Sequence, residues 1–135
     1  MAHTDLELEM VHHRDMDELG RIGQEVYFQP GEVIFDDGDE AESMFVVLEG
    51  EAQVEVGGRF HRLRRGDFFG EMALLAPGRR MAAVRAVEPV RAVRVPADAF
   101  RSALLDNPSL AVSMLRTLVL RLREVEQRID AWMAS

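Results

Sequence analysis

The chain has 135 residues, 47% of them apolar, with five prolines and ten glycines, enough to fill one compact core and too few for two. Its 24 acidic residues against 16 basic ones leave a net charge of −8, a poor balance for gripping nucleic acid, and the lack of cysteine excludes disulfides, thiolate metal sites, iron–sulfur clusters and a thiol nucleophile. No run approaches the about 18 apolar residues of a membrane span, and the acidic start MAHTDLELEM has neither the basic nor the apolar region of a secretion signal, so the expected location is the cytoplasm.

Residues Asp5 to Ile22 are charged with scattered Leu, Met and Ile, which suits one or two short helices in an N-terminal segment, 1–23. His12–His13 lie there without a third ligand at metal spacing and read as solvated. From Gln24 the period changes: short apolar stretches are cut by Pro30–Gly31, Asp37–Gly38–Asp39, Gly50, Gly57–Gly58, Gly66–Asp67 and Pro77–Gly78. Strands are expected near Glu25–Phe28, Val33–Phe35, Met44–Leu48, Ala52–Val56, Phe60–Leu63, Ala82–Ala86 and Val90–Val95, with smaller pieces near the loops. Many short strands with Gly-bearing turns make segment 24–96 an all-β barrel or sandwich. Gly57–Gly58 can supply the two positive φ angles of a tight hairpin turn after Val54–Glu55–Val56. His61, alone on its strand among arginines, reads as exposed.

Beyond Pro96 the pattern is helical over segment 97–135. Ala97 to Leu105 forms a short helix, Asn107–Pro108 breaks it, and Ser109 to about Met133 forms a long one with Pro108 in its first turn. Ala111, Leu115, Leu118, Leu122, Val125, Ile129 and Trp132 follow a heptad seam, with Arg121 placed to face Glu126 of a parallel partner helix. This predicts a homodimer through the C-terminal helix. Met10, Met16, Met44, Met72, Met114 and Met133 read as core or seam fillers.

The chemistry concentrates in FFGEMALLAPGRRMAAVRA, Phe68 to Ala86. Gly70 and Glu71 open a short helix through Leu75, whose free N–H groups favour an anion, and Arg79 or Arg80 can bring a guanidinium fork to the same anion from the far side of the turn. A carboxylate beside an anion is explicable if Glu71 accepts a hydroxyl hydrogen bond. A cyclic phosphate diester with a neighbouring ribose 2′-OH meets both conditions.

The segment resembles the phosphate-binding cassette of cyclic-nucleotide-binding domains, whose pattern runs approximately FGE-x-A-L-L and then P-R-A-A-T-V-x-A. Here it stands as Phe69–Gly70–Glu71–Met72–Ala73–Leu74–Leu75 and Arg80–Met81–Ala82–Ala83–Val84–Arg85–Ala86. Gly31, Gly38–Asp39, Gly50 and Gly66–Asp67–Phe68 fall where that family has its turns, so the resemblance covers roughly Gln24 to Arg128. It implies an eight-stranded jelly-roll β-barrel, mainly β with α flanks: N-terminal helices on one side and a long C-terminal helix on the other. It also implies cAMP or cGMP as ligand, with no other cofactor and no metal. Glu71 would take the ribose 2′-OH and Arg80 the phosphate, with backbone N–H groups near Gly70, Met72, Ala73 and Ala82 completing the cradle. Arg123, Glu126 and Gln127 are the candidates on the long helix for closing over the base. The sequence departs from the pattern at three places. Met81 stands where a small residue follows the arginine and would narrow the pocket, Ala83 stands in place of Thr, and proline is displaced to Pro77.

Four function classes meet these residues. A ligand-sensing module that couples binding to movement of the C-terminal helix fits best. A degenerate domain that serves only protein interaction or dimerisation is the alternative. A cupin-type metalloenzyme needs clustered histidines where the β segment has only His61, so no enzyme activity is expected. A transcription regulator needs a DNA reader, and none is expected in this chain. An effector protein or domain remains a possible partner.

Overall fold

The computed structural model describes residue 15 and residues 17–134, with side chains as far as Gln127. A short helix over 17–22, α1, enters a run of eight strands. These are β1 (Gln24–Phe28), β2 (Val33–Phe35), β3 (Ser43–Glu49), β4 (Ala52–Val56), β5 (Arg59–Leu63), β6 (Phe68–Phe69), β7 (Ala83–Ala86) and β8 (Val90–Pro96). The single turn α2 (Met72–Leu75) interrupts the strands, and α3 (Ala97–Asp106) and α4 (Pro108–Ala134) complete the chain. At the turn between β4 and β5, Gly57 and Gly58 have φ of 55° and 77°, the two positive angles that the hairpin requires.

All pairings are antiparallel, in two four-stranded sheets ordered β1-β8-β3-β6 and β2-β7-β4-β5. The eight expected strands and the long C-terminal helix are present; of the expected jelly-roll barrel the strands form two antiparallel sheets of four, and no ladder joins these into a closed barrel among the described residues. Two of the strands at sheet edges are too short to carry pairing around a corner, β6 having two residues and β2 three with a register shift between Val33 and Phe35.

Strand alternation divides the apolar residues between two cores. Met44 and Val46 of β3, Phe68 of β6, and Val93 and Val95 of β8 join Leu19, Phe100, Leu110 and Met114 in a core between the first sheet and the helices. Their neighbours Phe45, Val47, Phe69, Val90 and Ala92 turn the other way, to meet Ala52, Leu63, Val84 and Ala86 between the sheets. β3, inside the first sheet, is thus buried on both faces and reads as a continuous apolar run. The second sheet exposes Glu55 and Arg85 on its outer face, and burial alternates most clearly along β7. Phe100 is fully buried in the helix-side core. Replacing it with Ala should cost about 3–5 kcal/mol, lowering the thermal midpoint by more than about 10 °C in a melt followed by circular dichroism.

Asn107 marks the corner between α3 and α4. Its side-chain oxygen accepts from the N–H groups of Ser109 (3.1 Å) and Leu110 (3.3 Å), while its amide donates to Glu18 of α1. Leu110 and Met114 are buried, and Leu118 packs partly against the same core, so one side of α4 is committed to its own domain. Of the expected seam, Leu118 faces home, whereas Leu115, Leu122 and Val125 are exposed, as are Val112, Val119 and Leu120. Ile129, Trp132 and Met133 have side chains beyond the described ones, and His12–His13, Met10 and Met16 lie outside the described residues. Among the methionines, Met44 and Met114 are core, but Met72 is exposed because α2 is one turn long and turns only Leu74 inward.

Candidate ligand-binding site

The chain leaves β6 through Gly70, whose φ of +83° turns it out of the sheet. A Cβ built on this residue would stand 2.8 Å from Arg80 Nη1, so the glycine also makes room for the guanidinium. Glu71 follows as the residue before α2, and the N–H groups of Met72 and Ala73, in the first turn, have no intrahelical acceptor. After α2 the loop over 76–82 returns across the opening and delivers Arg80. The backbone of Arg80 is fixed from below, its N–H donating to Asp39 O at 2.9 Å and its carbonyl accepting from Gly38 N at 2.8 Å.

Arg80 is 5% exposed and Glu71 2% exposed, both far more buried than charged residues ordinarily are. The Arg80 guanidinium points to the turn opening, donating from Nη1 to Gly70 O at 2.6 Å and from Nη2 to Ser43 O at 2.5 Å. Its Cζ stands 4.0 Å from the centroid of the Phe35 ring. Phe35 belongs to an aromatic cluster in which Phe45 and Phe69 stack at 5.1 Å, so the cation rests on a rigid floor. Arg80 Nε is buried and has no hydrogen-bond partner among the described residues. Burial draws its pKa below the usual arginine value, and the carboxylates of Glu71 and Asp39 oppose that.

Glu71 is held by α4. Its Oε1 accepts from Arg121 Nη1 at 3.3 Å, and the same guanidinium donates to Phe68 O at 2.9 Å and lies 4.6 Å over the Phe68 ring. Burial pushes the Glu71 carboxyl above its usual range, while the charges of Arg121 and Arg80 pull it back. Arg121 was expected to face Glu126 of a partner helix; it instead pairs with the cassette of its own chain. It is the residue of the candidate site that the sequence reading missed. The signal lay in the row Leu110, Met114, Leu118, Arg121, spaced 4, 4, 3. An arginine on the home-facing stripe of a helix needs an acceptor in its own domain.

Of the other expected site residues, Ala73 and Ala82 are half-buried beside the turn. Met81 is 67% exposed, so it does not narrow the opening as expected. Arg79 is exposed and donates to Gly38 O at 3.1 Å. Arg123, Glu126 and Gln127 are exposed on α4, and among the described residues it is Arg121 of that helix that hydrogen-bonds the cassette. Among the described residues no group of three or more His, Asp or Glu is placed to hold a metal ion, and no helix is long and apolar enough to cross a membrane.

A buried cation and a buried carboxylate that share one turn opening, at the end of two facing sheets with a helix braced across, define a β-rich module for a small polar ligand. Residues 25–107 match the model of the cyclic nucleotide-binding domain, and the chain belongs to that family. It is 30% identical over 114 residues to a CRP-like cAMP-activated global transcriptional regulator of Mycobacterium tuberculosis, covering 78% of this chain and 50% of that protein. Among solved structures it resembles the catabolite activator protein of Thermus thermophilus, with a TM-score of 0.75 and 27% identity over 87% of this chain and 58% of the other. A second structure, described under a cyclic-GMP-dependent signalling pathway that regulates bacterial phytopathogenesis, matches with a TM-score of 0.74 and 25% identity over 82% of this chain and 93% of the other. The chain spans half the length of the mycobacterial regulator.

Proposed function

We propose that this chain is a cyclic-nucleotide sensor, a binding module rather than a catalyst, that takes cAMP or cGMP at the Gly70–Arg80 turn and reports it through α4. The observation that carries the reading is Arg80: a guanidinium, 5% exposed, bonded to Gly70 O at the turn with its Nε unpaired. An unpaired buried donor is costly, and an anionic oxygen is the partner that would satisfy it. The cyclic phosphate supplies that oxygen, with the N–H groups of Gly70, Met72, Ala73 and Ala82 around it. Glu71 receives the ribose 2′-OH, and because Arg121 already holds Oε1 of the same carboxylate, ligand and helix share one group. A hydroxyl that draws on Glu71 changes the hold on Arg121 and so biases the position of α4.

The exposed row Val112, Leu115, Val119, Leu122, spaced 3, 4, 3, is the surface through which α4 would pair in a homodimer. Arg123, Glu126 and Gln127, further along the same helix, are then the groups available to close over the base. The setting proposed is the cytoplasm, where both the ligand and an effector protein or domain would be met.

Calorimetric titration of the chain with cAMP and with cGMP tests the reading: saturable heat with at least one nucleotide is expected, and none with either would sink it. That null result would favour a domain kept for protein interaction or dimerisation. One observation supports this second reading, namely that Glu71 and two of the Arg80 nitrogens already have partners within the chain.

A further inference from the structure

Along β2, Val33 pairs with Arg85 of β7 and Phe35 with its neighbour Val84, so two steps on one strand meet one step on the other. A bulge of this kind re-aims the side chains that follow it. Regular alternation would leave Phe35 on the face of Val33, which is 43% exposed on the outer side of the sheet. Instead Phe35 turns with Ile34 to the inter-sheet core, its ring centroid 6.2 Å from that of Phe45 and 5.9 Å from that of Phe69. The remaining neighbours of the ring belong to the cassette. Arg80 Cζ lies over its face, 4.0 Å from the centroid, and its Cε2 stands 3.3 Å from where Gly70 would carry a Cβ.

A guanidinium is planar, with donors around its edge and two faces that can stack. In Arg80 the donors Nη1 and Nη2 are taken by the carbonyls of Gly70 and Ser43, and one face lies against Phe35. Nε is the donor left without a partner among the described residues. Two hydrogen bonds to carbonyls locate the end of the side chain but let its plane tilt about them, and a tilt swings the Nε–H away from a ligand held at the turn. A ring against the face opposes that tilt. At a guanidinium 5% exposed, water does little to weaken the attraction between the cation and the electron-rich face of the ring. An aliphatic side chain of similar size would fill the same space without this attraction.

We infer that Phe35 is a positioning residue for phosphate recognition, aimed by the β2 bulge so that its ring face holds the Arg80 guanidinium in the plane that presents Nε to the cyclic diester. The inference rests on the cyclic-nucleotide reading above. When the ring is weakened, Arg80 spends part of its time in other rotamers, and the measured affinity falls with the fraction of binding-competent molecules. Because Arg80 meets the phosphate and not the base, the loss is the same for cAMP and cGMP. The test is calorimetric titration with both nucleotides of wild type, Phe35→Leu, and a protein in which Phe35 is replaced by its ring-trifluorinated analogue, which nearly keeps the shape of the side chain but removes the negative character of its face. The expected losses are about 5- to 10-fold for Phe35→Leu and about 2- to 5-fold for the fluorinated protein, equal for the two nucleotides where both bind. Melting curves establish that each variant is folded at the titration temperature, and the fluorinated protein decides the matter if Phe35→Leu does not fold. Wild-type affinity in the fluorinated protein overturns the inference: Phe35 is then a core residue alone, and the reading of the site stands. A loss confined to one nucleotide overturns it too, since the effect would then come through the base. If wild type binds neither nucleotide, inference and reading fall together.

Discussion

Arg80→Ala should abolish cyclic-nucleotide binding, lowering affinity for cAMP and cGMP alike by at least a hundredfold. Removing one member of a desolvated charge pair costs about 2–5 kcal/mol, and each 1.4 kcal/mol is about a factor of ten. Here the lost group is the guanidinium whose Nε is unpaired and whose burial isolates it from water. The substitution also strips donors from Gly70 O and Ser43 O and a cation from the Phe35 ring, so some stability is lost, about 1–3 kcal/mol. Melting curves in the absence of nucleotide show whether the variant is folded at the titration temperature. A folded Arg80→Ala that binds as wild type does would move the phosphate contact elsewhere.

The second large effect is expected at Glu71. Burial raises its pKa above the ordinary value of 4.5, an effect that Arg121 and Arg80 only partly offset. Between that ordinary value and the raised one, the folded chain holds a proton that the unfolded chain has released. Stability contributed by this group therefore falls as pH rises through the window, and is steady above it. Glu49 and Glu51 work in the opposite sense, since Arg91 and Arg64 lower their pKa values, so the whole-protein profile mixes signs. The difference between wild type and Glu71→Gln isolates the buried group: the variant should gain stability relative to wild type as pH rises from the ordinary value of 4.5 through the raised one. The same substitution should weaken cyclic-nucleotide binding at pH 8 by about 10- to 100-fold, because a hydroxyl bonded to a carboxylate gains about 1.5–3 kcal/mol. A flat stability difference across that pH range would show that Glu71 is not held in a desolvated site, and unchanged affinity would remove it from the ribose.

The cassette was legible because its parts are close in the chain. Gly70, Glu71 and Arg80 fall within one short stretch, and chemistry that needs a turn, an acid and a guanidinium at one opening leaves its mark there. The strands between Gln24 and Pro96 were legible for a similar reason, since each is bounded by glycine or proline and the Gly57–Gly58 turn specifies its own hairpin. What lay beyond local sequence was pairing across distance. Gln24 meets Arg94, and the eight strands divide between two sheets, a choice that no single strand encodes. Periodicity showed that α4 has apolar sides, but a leucine stripe fits its own domain as well as a partner helix. The fold assigned one side of the helix to its own domain by burying Leu110 and Met114, which turned Leu118 inward and set Arg121 against Glu71, 50 residues away. Local sequence therefore determined where the acid and the guanidinium of the proposed site lie. Tertiary packing decided which helix residue shares that grip, because only packing brings a guanidinium and a buried carboxylate within bonding distance.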